Sequence, residues 1–427
     1  GCAGFKVVER CSTPRKLLKS LIKTFVPLRG HLFFVGSDTM TFQQIKEQDH
    51  MYVLPTYGRV DAALVKGQNA RAGEGEGKEY IDFTAGIGVY ALGYSDREWA
   101  AAVAEQAGKI QHLCNYYYSP ENTALAQELS EASGMAKAFF CNSGAEANEC
   151  AIKVARKYGE KRGAYKIVTL HNSFHGRTLT TLAATGQEGF HKDFLPLTEG
   201  FVYAEAGDLA GIEALLDGSV CGVLLEMVQG EGGVIPMDES FVQGLAQLCK
   251  EQDVLLLVDE VQTGVGRTGS FFAYQGYGVE PDVVTCAKGI AGGLPMGACL
   301  VSERLGDILK PGMQGSTFGG NPIASAGARV VVRRVSDPAF LESVREKGAY
   351  FREKLEAMPQ VEYVRGRGLM IGVKLKDKDA HEVLAECAKA GLLILTAKEL
   401  VRFLPPLTIT QEDMDQGLAI FQKVLEQ

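Results

Sequence analysis

From about residue 86 onward, short apolar runs rich in β-branched residues alternate with amphipathic helical stretches, and that rhythm limits the possible folds more than any other feature. "AFFCN" (138–142), "KIVTLH" (166–171), "VCGVLLEM" (220–227), "VLLLVDE" (254–260), "VVTCA" (283–287) and "GACLVS" (297–302) each read as a buried strand. Between them, "AEANECAIKVARKYGEK" and "ESFVQGLAQLCKEQ" carry helical patterns. Strands alternating with helices imply an α/β fold with a mainly parallel, helix-covered sheet. After "STFGGNPIASAGARVVVRRV" the pattern changes to a long helix and then to shorter strands and helices, which marks a smaller domain from about residue 323. The glycine-rich "RAGEGEGKEY" reads as a turn between two strands.

Residues 1–39 differ from the rest. They hold seven Lys/Arg against two acids, a net +5 that leaves −13 on residues 40–427 out of the chain's −8. Two readings are open: a targeting or transit segment, or sequence upstream of a natural start at Met40. The second is preferred, because a transit segment should be richer in Arg and Ser and poorer in acids. On either reading these residues stand outside the fold and are expected to lack stable packing. The acidic balance argues against nucleic acid as a main partner. No apolar run reaches the roughly 18 residues of a membrane-spanning helix, so no membrane role is expected. Ten cysteines lie scattered without a C-x-x-C pair, which fits a reducing compartment. The location expected is the cytoplasm, or an organelle if residues 1–39 are a transit segment.

Several strand ends carry residues suited to chemistry. Lys288 follows the apolar strand "VVTCA", and three glycines (Gly289, Gly292, Gly293) leave space around its amine. It either snorkels to water or stands ready to attack a carbonyl. Asp259 ends "VLLLVDE", one strand–helix unit earlier, so both residues should reach the same C-terminal rim of the sheet, where ligands bind. An acid at a strand end is also a common cap or turn residue. In "CNSGAEANE" (141–149), Ser143 and Glu146 form a capping box; the same geometry leaves free N–H groups suited to a phosphate. "SFHGRT" presents Phe174 and Arg177 together, as core residue and surface cation or as parts of a site. Arg402 in "LVRFLPPLTIT" sits among apolar residues and needs a carboxylate, for which Glu231 in "EMVQGEGGV" is a plausible partner. "GVGRTG" (264–269) matches a dinucleotide fingerprint but neither follows its strand directly nor opens a helix, and is set aside. His171 and His175 sit four apart with no third candidate ligand, so no metal is expected.

Taken together, these stretches resemble the class III, fold type I aminotransferases that use pyridoxal phosphate. The likeness runs from Tyr52 to the C-terminus. It is most specific at "LLLVDEVQTGVGRTG" and "PDVVTCAKGIAGGLPMGA", with support from "FCNSGAEANE", "SFHGRT", "GSTFGGNP" and "RFLPPL". At "LPTYGR" and "DFTAGIGVYALG" the chain is most similar to the acetylornithine aminotransferase branch of the class.

The resemblance implies a large domain over 86–322 with a mainly parallel seven-stranded sheet. It also implies a small α+β domain built from residues 40–85 and 323–427. Lys288 would bond the cofactor's aldehyde and Asp259 would pair with its ring nitrogen. Gln262 would lie near the 3-hydroxyl, Val261 under the ring and Phe174 on its other face. Gly144 and Ala145 would hold the phosphate through backbone N–H groups; many relatives have Thr where this chain has Ala145. Thr317, beside Ser316 in "GSTFGG", would reach the phosphate of a neighbouring subunit, which makes the active form a homodimer with shared sites. Arg177, with Tyr57 and Ser316 nearby, would serve the substrate, Arg402 would take the second carboxylate, and Glu231 would cover Arg402 when the first substrate is bound. The partners implied are a small-molecule amino donor and 2-oxoglutarate. Ile87, where ornithine-specific relatives carry Tyr, weighs against free ornithine. Ornithine, so weakened, succinylornithine, 4-aminobutyrate and an aminomutase reaction remain alternatives, with a cofactor-sequestering protein as the remote non-enzyme one.

Overall fold

The computed structural model describes residues 40–74 and 77–427. The expectations for residues 1–39 lie outside the described residues. The chain forms two compact units, one ending at Pro55 and one from Thr56 to Gln427. The first contributes a helix, Phe42–Tyr52, started by a capping box: Thr41 Oγ1 accepts from Gln44 N (3.3 Å), and Gln44 Oε1 accepts from Thr41 N (2.9 Å).

The second unit holds every strand among the described residues. It opens with β1 (Leu64–Gln68), β2 (Arg71–Glu74) and β3 (Glu79–Asp82), an antiparallel set in which the glycine-rich stretch joins β2 to β3. A seven-stranded sheet follows: β4 (Lys137–Cys141), β5 (Lys166–Leu170), β6 (Phe201–Ala204), β7 (Val220–Leu225), β10 (Leu255–Asp259), β11 (Val283–Cys286) and β12 (Gly297–Val301). Their order is β4-β12-β11-β10-β7-β5-β6. Only β12 runs against its neighbours. Six of the strands coincide with runs legible in the sequence. The seventh, β6, escaped notice because it is a four-residue edge strand, three of whose residues are only half-buried. The central strands are fully buried, as β7 and β10 show, and the helices Gly144–Gly159 and Glu239–Glu251 turn apolar stripes toward the sheet.

The chain then passes through two long helices, Pro322–Val335 and Pro338–Glu356, to an antiparallel sheet of β13 (Val361–Arg367), β14 (Met370–Leu375), β17 (Leu400–Phe403) and β16 (Leu395–Ala397). A short strand, β15 (Leu392–Leu393), pairs in parallel with β3, which ties the C-terminal segment to the N-terminal one. Four buried phenylalanines reinforce that link. Phe83, just after β3, joins Phe351, Phe403 and Phe421, each from a different helix or strand, with edge-to-face contacts at 5.1, 5.3 and 5.2 Å. Truncating any one of them would cost about 3–5 kcal/mol. A two-residue hairpin pair, β8 (Val228–Gln229) and β9 (Ile235–Pro236), projects just beyond the end of β7.

Candidate active site

Because β4, β5, β7, β10 and β11 all run the same way, the segments leaving them meet along one rim of the sheet. There they line a cavity of about 550 Å³, bounded by Tyr57, Ser143, Gly144, Ala145, Phe174 and Arg177, with Asp259, Val261, Gln262 and Lys288 also in its wall. Asp259 and Lys288 face the same space because β10 and β11 are neighbours, with Asp259 opposite Thr285 in their register.

Lys288 opens a short 3-10 turn directly after β11 and takes a left-handed backbone conformation, φ 45°. A non-glycine residue held there stores strain of the kind found at functional sites. Among the described residues no hydrogen bond or ion pair reaches its amine. Burial pushes the Lys288 amine below its ordinary value, against the opposing pull of Glu231, Asp259 and Glu226. A shift in that direction favours the neutral amine, the form that acts as a nucleophile and a proton acceptor.

Asp259 is almost wholly buried and firmly held. Its Oδ2 accepts from Asn148 Nδ2 (2.7 Å) and from His175 Nδ1 (2.8 Å); its Oδ1 accepts from Val261 N (2.9 Å). Asn148 is fixed in turn by Thr285, whose Oγ1 donates to Asn148 Oδ1 (2.6 Å). A carboxylate has about four acceptor positions, so one remains for a cationic N–H from the cavity.

At the end of β4 the helix Gly144–Gly159 begins. Ser143 Oγ accepts from Glu146 N (3.2 Å), the first half of the expected capping box. The second half differs: Glu146 reaches one residue further back and accepts from Asn142 N (2.7 Å) rather than from Ser143 N. The N–H groups of Gly144 and Ala145 have no partner among the described residues and sit at the positive end of a sixteen-residue helix. A Cβ at Gly144 would come within 2.7 Å of Val261 Cγ1, so glycine is what lets this helix start close against Val261.

Phe174 forms one wall, its N–H donating to Glu226 Oε2 (3.0 Å). Arg177 is exposed; its guanidinium lies over the rings of Phe190 (4.1 Å) and Phe174 (5.4 Å) and makes no ion pair among the described residues. Arg402, on β17, is 3% exposed and paired with Glu231: Nη1 to Oε1 is 2.7 Å and Nη2 to Oε2 is 3.5 Å. Gln262 touches both, donating to Glu231 (3.2 Å) and accepting from Arg402 (3.2 Å). Burial opposes the charge on Glu231, but Arg402, with help from Lys288 and Gln262, holds its carboxyl below the ordinary value. Ser316 does not line the cavity but bonds Asn142, which does: its Oγ accepts from Asn142 Nδ2 (3.1 Å). Thr317 is exposed and does not line this chain's cavity.

A family model described as aminotransferase class III matches residues 53–425. The chain belongs to the class III aminotransferases. Acetylornithine aminotransferase of Haemophilus ducreyi is 46% identical over 393 residues, spanning 91% of this chain and all of that protein. Among solved structures, N-acetylornithine aminotransferase from Stenotrophomonas maltophilia superposes with a TM-score of 0.77 at 37% identity, covering 89% of this chain and 98% of that one. An ornithine aminotransferase from Toxoplasma gondii superposes at 0.85 with 31% identity, covering 90% and 94%, and that crystal holds PLP at its active site in partial occupancy.

The class III site in this chain fits pyridoxal phosphate on its own geometry. It offers two free helix N–H groups for a phosphate, an unfilled acceptor position on Asp259 for a ring N–H, and an unpartnered amine for an aldehyde. The sequence reading missed His175 and Asn148 as supports of Asp259, and Glu226 behind Phe174. His175 was weighed only as a metal ligand. Asn148 lies one turn after Gly144 on a face otherwise filled by Ala147, Ala151 and Ile152, and a polar residue on such a face is the signal that was available.

Proposed function

We propose that this class III enzyme is an acetylornithine aminotransferase, converting N2-acetyl-L-ornithine and 2-oxoglutarate to N-acetylglutamate 5-semialdehyde and L-glutamate, a step of arginine biosynthesis in the cytoplasm. The observation that carries the reading is the unequal state of two arginines: Arg177 is open at the cavity mouth, while Arg402 is closed by Glu231. One open receptor suits a donor with a single free carboxylate. A second that opens by displacing Glu231 suits a dicarboxylate acceptor. The curated relatives, 43–46% identical, support the donor's identity.

Pyridoxal phosphate, when bound, supplies the aldehyde that takes up the amine and a cationic ring that absorbs negative charge from the adjacent carbon. Lys288 would hold that aldehyde through its amine and, as the base within the cavity, would move the proton at the donor's amine-bearing carbon. Asp259, kept in place by His175, Asn148 and the Val261 N–H, stabilises the ring's positive charge in a water-poor site. Gly144 and Ala145 receive the phosphate. Phe174 and Val261, which line the cavity, would confine the ring, and Gln262 would serve its 3-hydroxyl. Arg177 takes the donor's carboxylate, with Tyr57 and Ser316 nearby; Arg402 takes the acceptor's second carboxylate. Thr317, exposed here, serves the phosphate of a partner subunit in a homodimer.

Half-reaction spectroscopy on the purified holoenzyme tests the reading. N2-acetylornithine should bleach the cofactor's visible band faster than N2-succinylornithine, ornithine or 4-aminobutyrate. Faster conversion by any of these reassigns the donor. Turnover without an amino acceptor would make the protein a mutase.

A further inference from the structure

The loop that carries Glu231 is gripped at a second point, and the grip lies in register with the first. Glu231 belongs to the five-residue connection Gly230–Val234 between β8 and β9, which pair Gln229 with Ile235. In the C-terminal sheet, Gly372 of β14 lies opposite Arg365 of β13 on one side and opposite Arg402 of β17 on the other. Directly opposed residues of an antiparallel sheet project from the same face, so the two arginines flank a residue without a side chain.

The loop settles into that gap. A Cβ at Gly372 would fall 2.9 Å from Val234 Cβ and 3.1 Å from Leu400 Cδ2. Arg365 donates to the Gly233 carbonyl from both Nε (2.9 Å) and Nη2 (2.6 Å), while Arg402 holds the Glu231 carboxylate two residues earlier. The backbone between these points is one that chains avoid without constraint: Val234, β-branched and fully buried, has φ 56°, and Gly233 has φ 116°.

We infer that Arg365 is a positioning residue for the gate: it anchors the 230–234 loop to the sheet so that Glu231 reaches and leaves Arg402 by moving its side chain alone. This rests on the reading that Glu231 covers Arg402 while the donor reacts. The two grips differ in chemistry. The one at Arg402 joins two charges, and a substrate carboxylate can replace Glu231 there. The one at Arg365 joins a cation to a neutral carbonyl; the Arg402 grip is bonded to Gln262 in the cavity wall, whereas the Arg365 side chain bonds Gly233, outside that wall, so an incoming dicarboxylate releases the first grip and leaves the second. The gap at Gly372 lets both hold at once.

The test is stopped-flow measurement of each half-reaction of the holoenzyme, with apparent KM and maximal rate for N2-acetylornithine and 2-oxoglutarate determined separately. Loss of a charge-assisted pair of hydrogen bonds in Arg365→Met should raise the donor's KM about tenfold. The acceptor's KM should stay the same or fall. Arg365→Lys, which keeps one bond, should recover part of the loss, and Gly372→Ala, which wedges the loop off the sheet, should reproduce it. In a Glu231→Ala background Arg365→Met should add nothing, because the group it positions is gone. Equal shifts for donor and acceptor, or an undiminished effect of Arg365→Met in the Glu231→Ala background, would reduce Arg365 to a structural residue. If Glu231→Ala alone leaves the donor-to-acceptor ratio unchanged, the gate falls and takes the anchor with it. If that ratio changes while Arg365→Met leaves it alone, only the anchor falls. Should Arg365→Met fail to fold, Arg365→Lys decides, by a smaller shift in the same direction or by none.

Discussion

Glu260, the residue after Asp259, is wholly buried and has no cation beside it among the described residues. Its Oε2 accepts from Thr263 Oγ1 (2.5 Å) and its Oε1 from Tyr274 N (2.9 Å). Burial pushes its carboxyl up to about 7 from an ordinary 4.5, those hydrogen bonds offset part of the rise, and Asp259 adds to it. A carboxyl whose folded pKa is raised keeps a proton that the unfolded chain gives up between those two values. Its cost to stability is therefore absent below pH 4.5, grows through pH 7 and is complete above it. At 1.36 kcal/mol per unit, the full cost is about 3 kcal/mol. Glu260→Gln abolishes the titration, and any cost of turning an amide N–H₂ toward a donor is the same at every pH. The variant should therefore gain on the parent as pH rises from 5 to 8. With an unfolding entropy of about 2.1 cal/mol/K per residue, a chain of this length converts each kcal/mol into about 1 °C. Scans of both holoproteins at pH 5, 6.5 and 8 should show the difference in Tm moving in the variant's favour by about 2–3 °C. A difference that stays flat across that range would refute the assignment of a buried, titrating carboxyl at this position.

Glu231→Ala should slow productive use of the donor and leave the acceptor half-reaction intact or faster; stopped-flow traces slowed equally in both directions would make Glu231 structural. The same variant strands the Arg402 guanidinium. Because Gln262 still accepts from it and Glu231 is 30% exposed, the loss of stability should fall at the lower end of the range for a broken buried pair, about 3 kcal/mol, read by urea titration. Asn148→Ala removes one of three bonds to Asp259 and leaves Thr285 without its acceptor. Cofactor loss on dialysis should quicken, at a stability cost of about 1–3 kcal/mol, and unchanged retention would detach Asn148 from the site. Thr317→Ala and Lys288→Ala chains, each defective alone, should regain activity on subunit mixing, since one of the two sites then has both residues intact; no recovery would contradict a contribution across subunits.

How much of this was legible in the sequence depended on how local the signal was. The rim carrying Asp259, Lys288 and the Gly144 helix follows from strand–helix alternation, because parallel strands must end on the same side. Strand β6 did not show because an edge strand, buried only in part, lacks the apolar run that marked its neighbours. The hydrogen bonds from His175 and Asn148 to Asp259 join residues 84 and 111 positions apart, and no local pattern specifies them. The second half of the capping box went to Asn142 rather than Ser143 because a glutamate carboxylate can reach either N–H, and spacing alone does not choose. The row Arg365–Gly372–Arg402 depends on register across three strands, which the sequence leaves open until the sheet is assembled.

The two arginines proposed to receive carboxylates are mounted on very different supports. Arg402 is a rung of a four-stranded ladder, held with its neighbours there by backbone pairing. Glu231, the group proposed to decide when it is available, stands on five residues of hairpin turn that carry no strand pairing of their own. If the proposed gate holds, substrate choice rests on a segment that can be recharged without unpicking a sheet, while Arg365, the Gly372 gap and buried Val234 limit how far its length can change. A chain built this way can change what it accepts as an amino donor or acceptor while keeping what it does with the amino group once it has it.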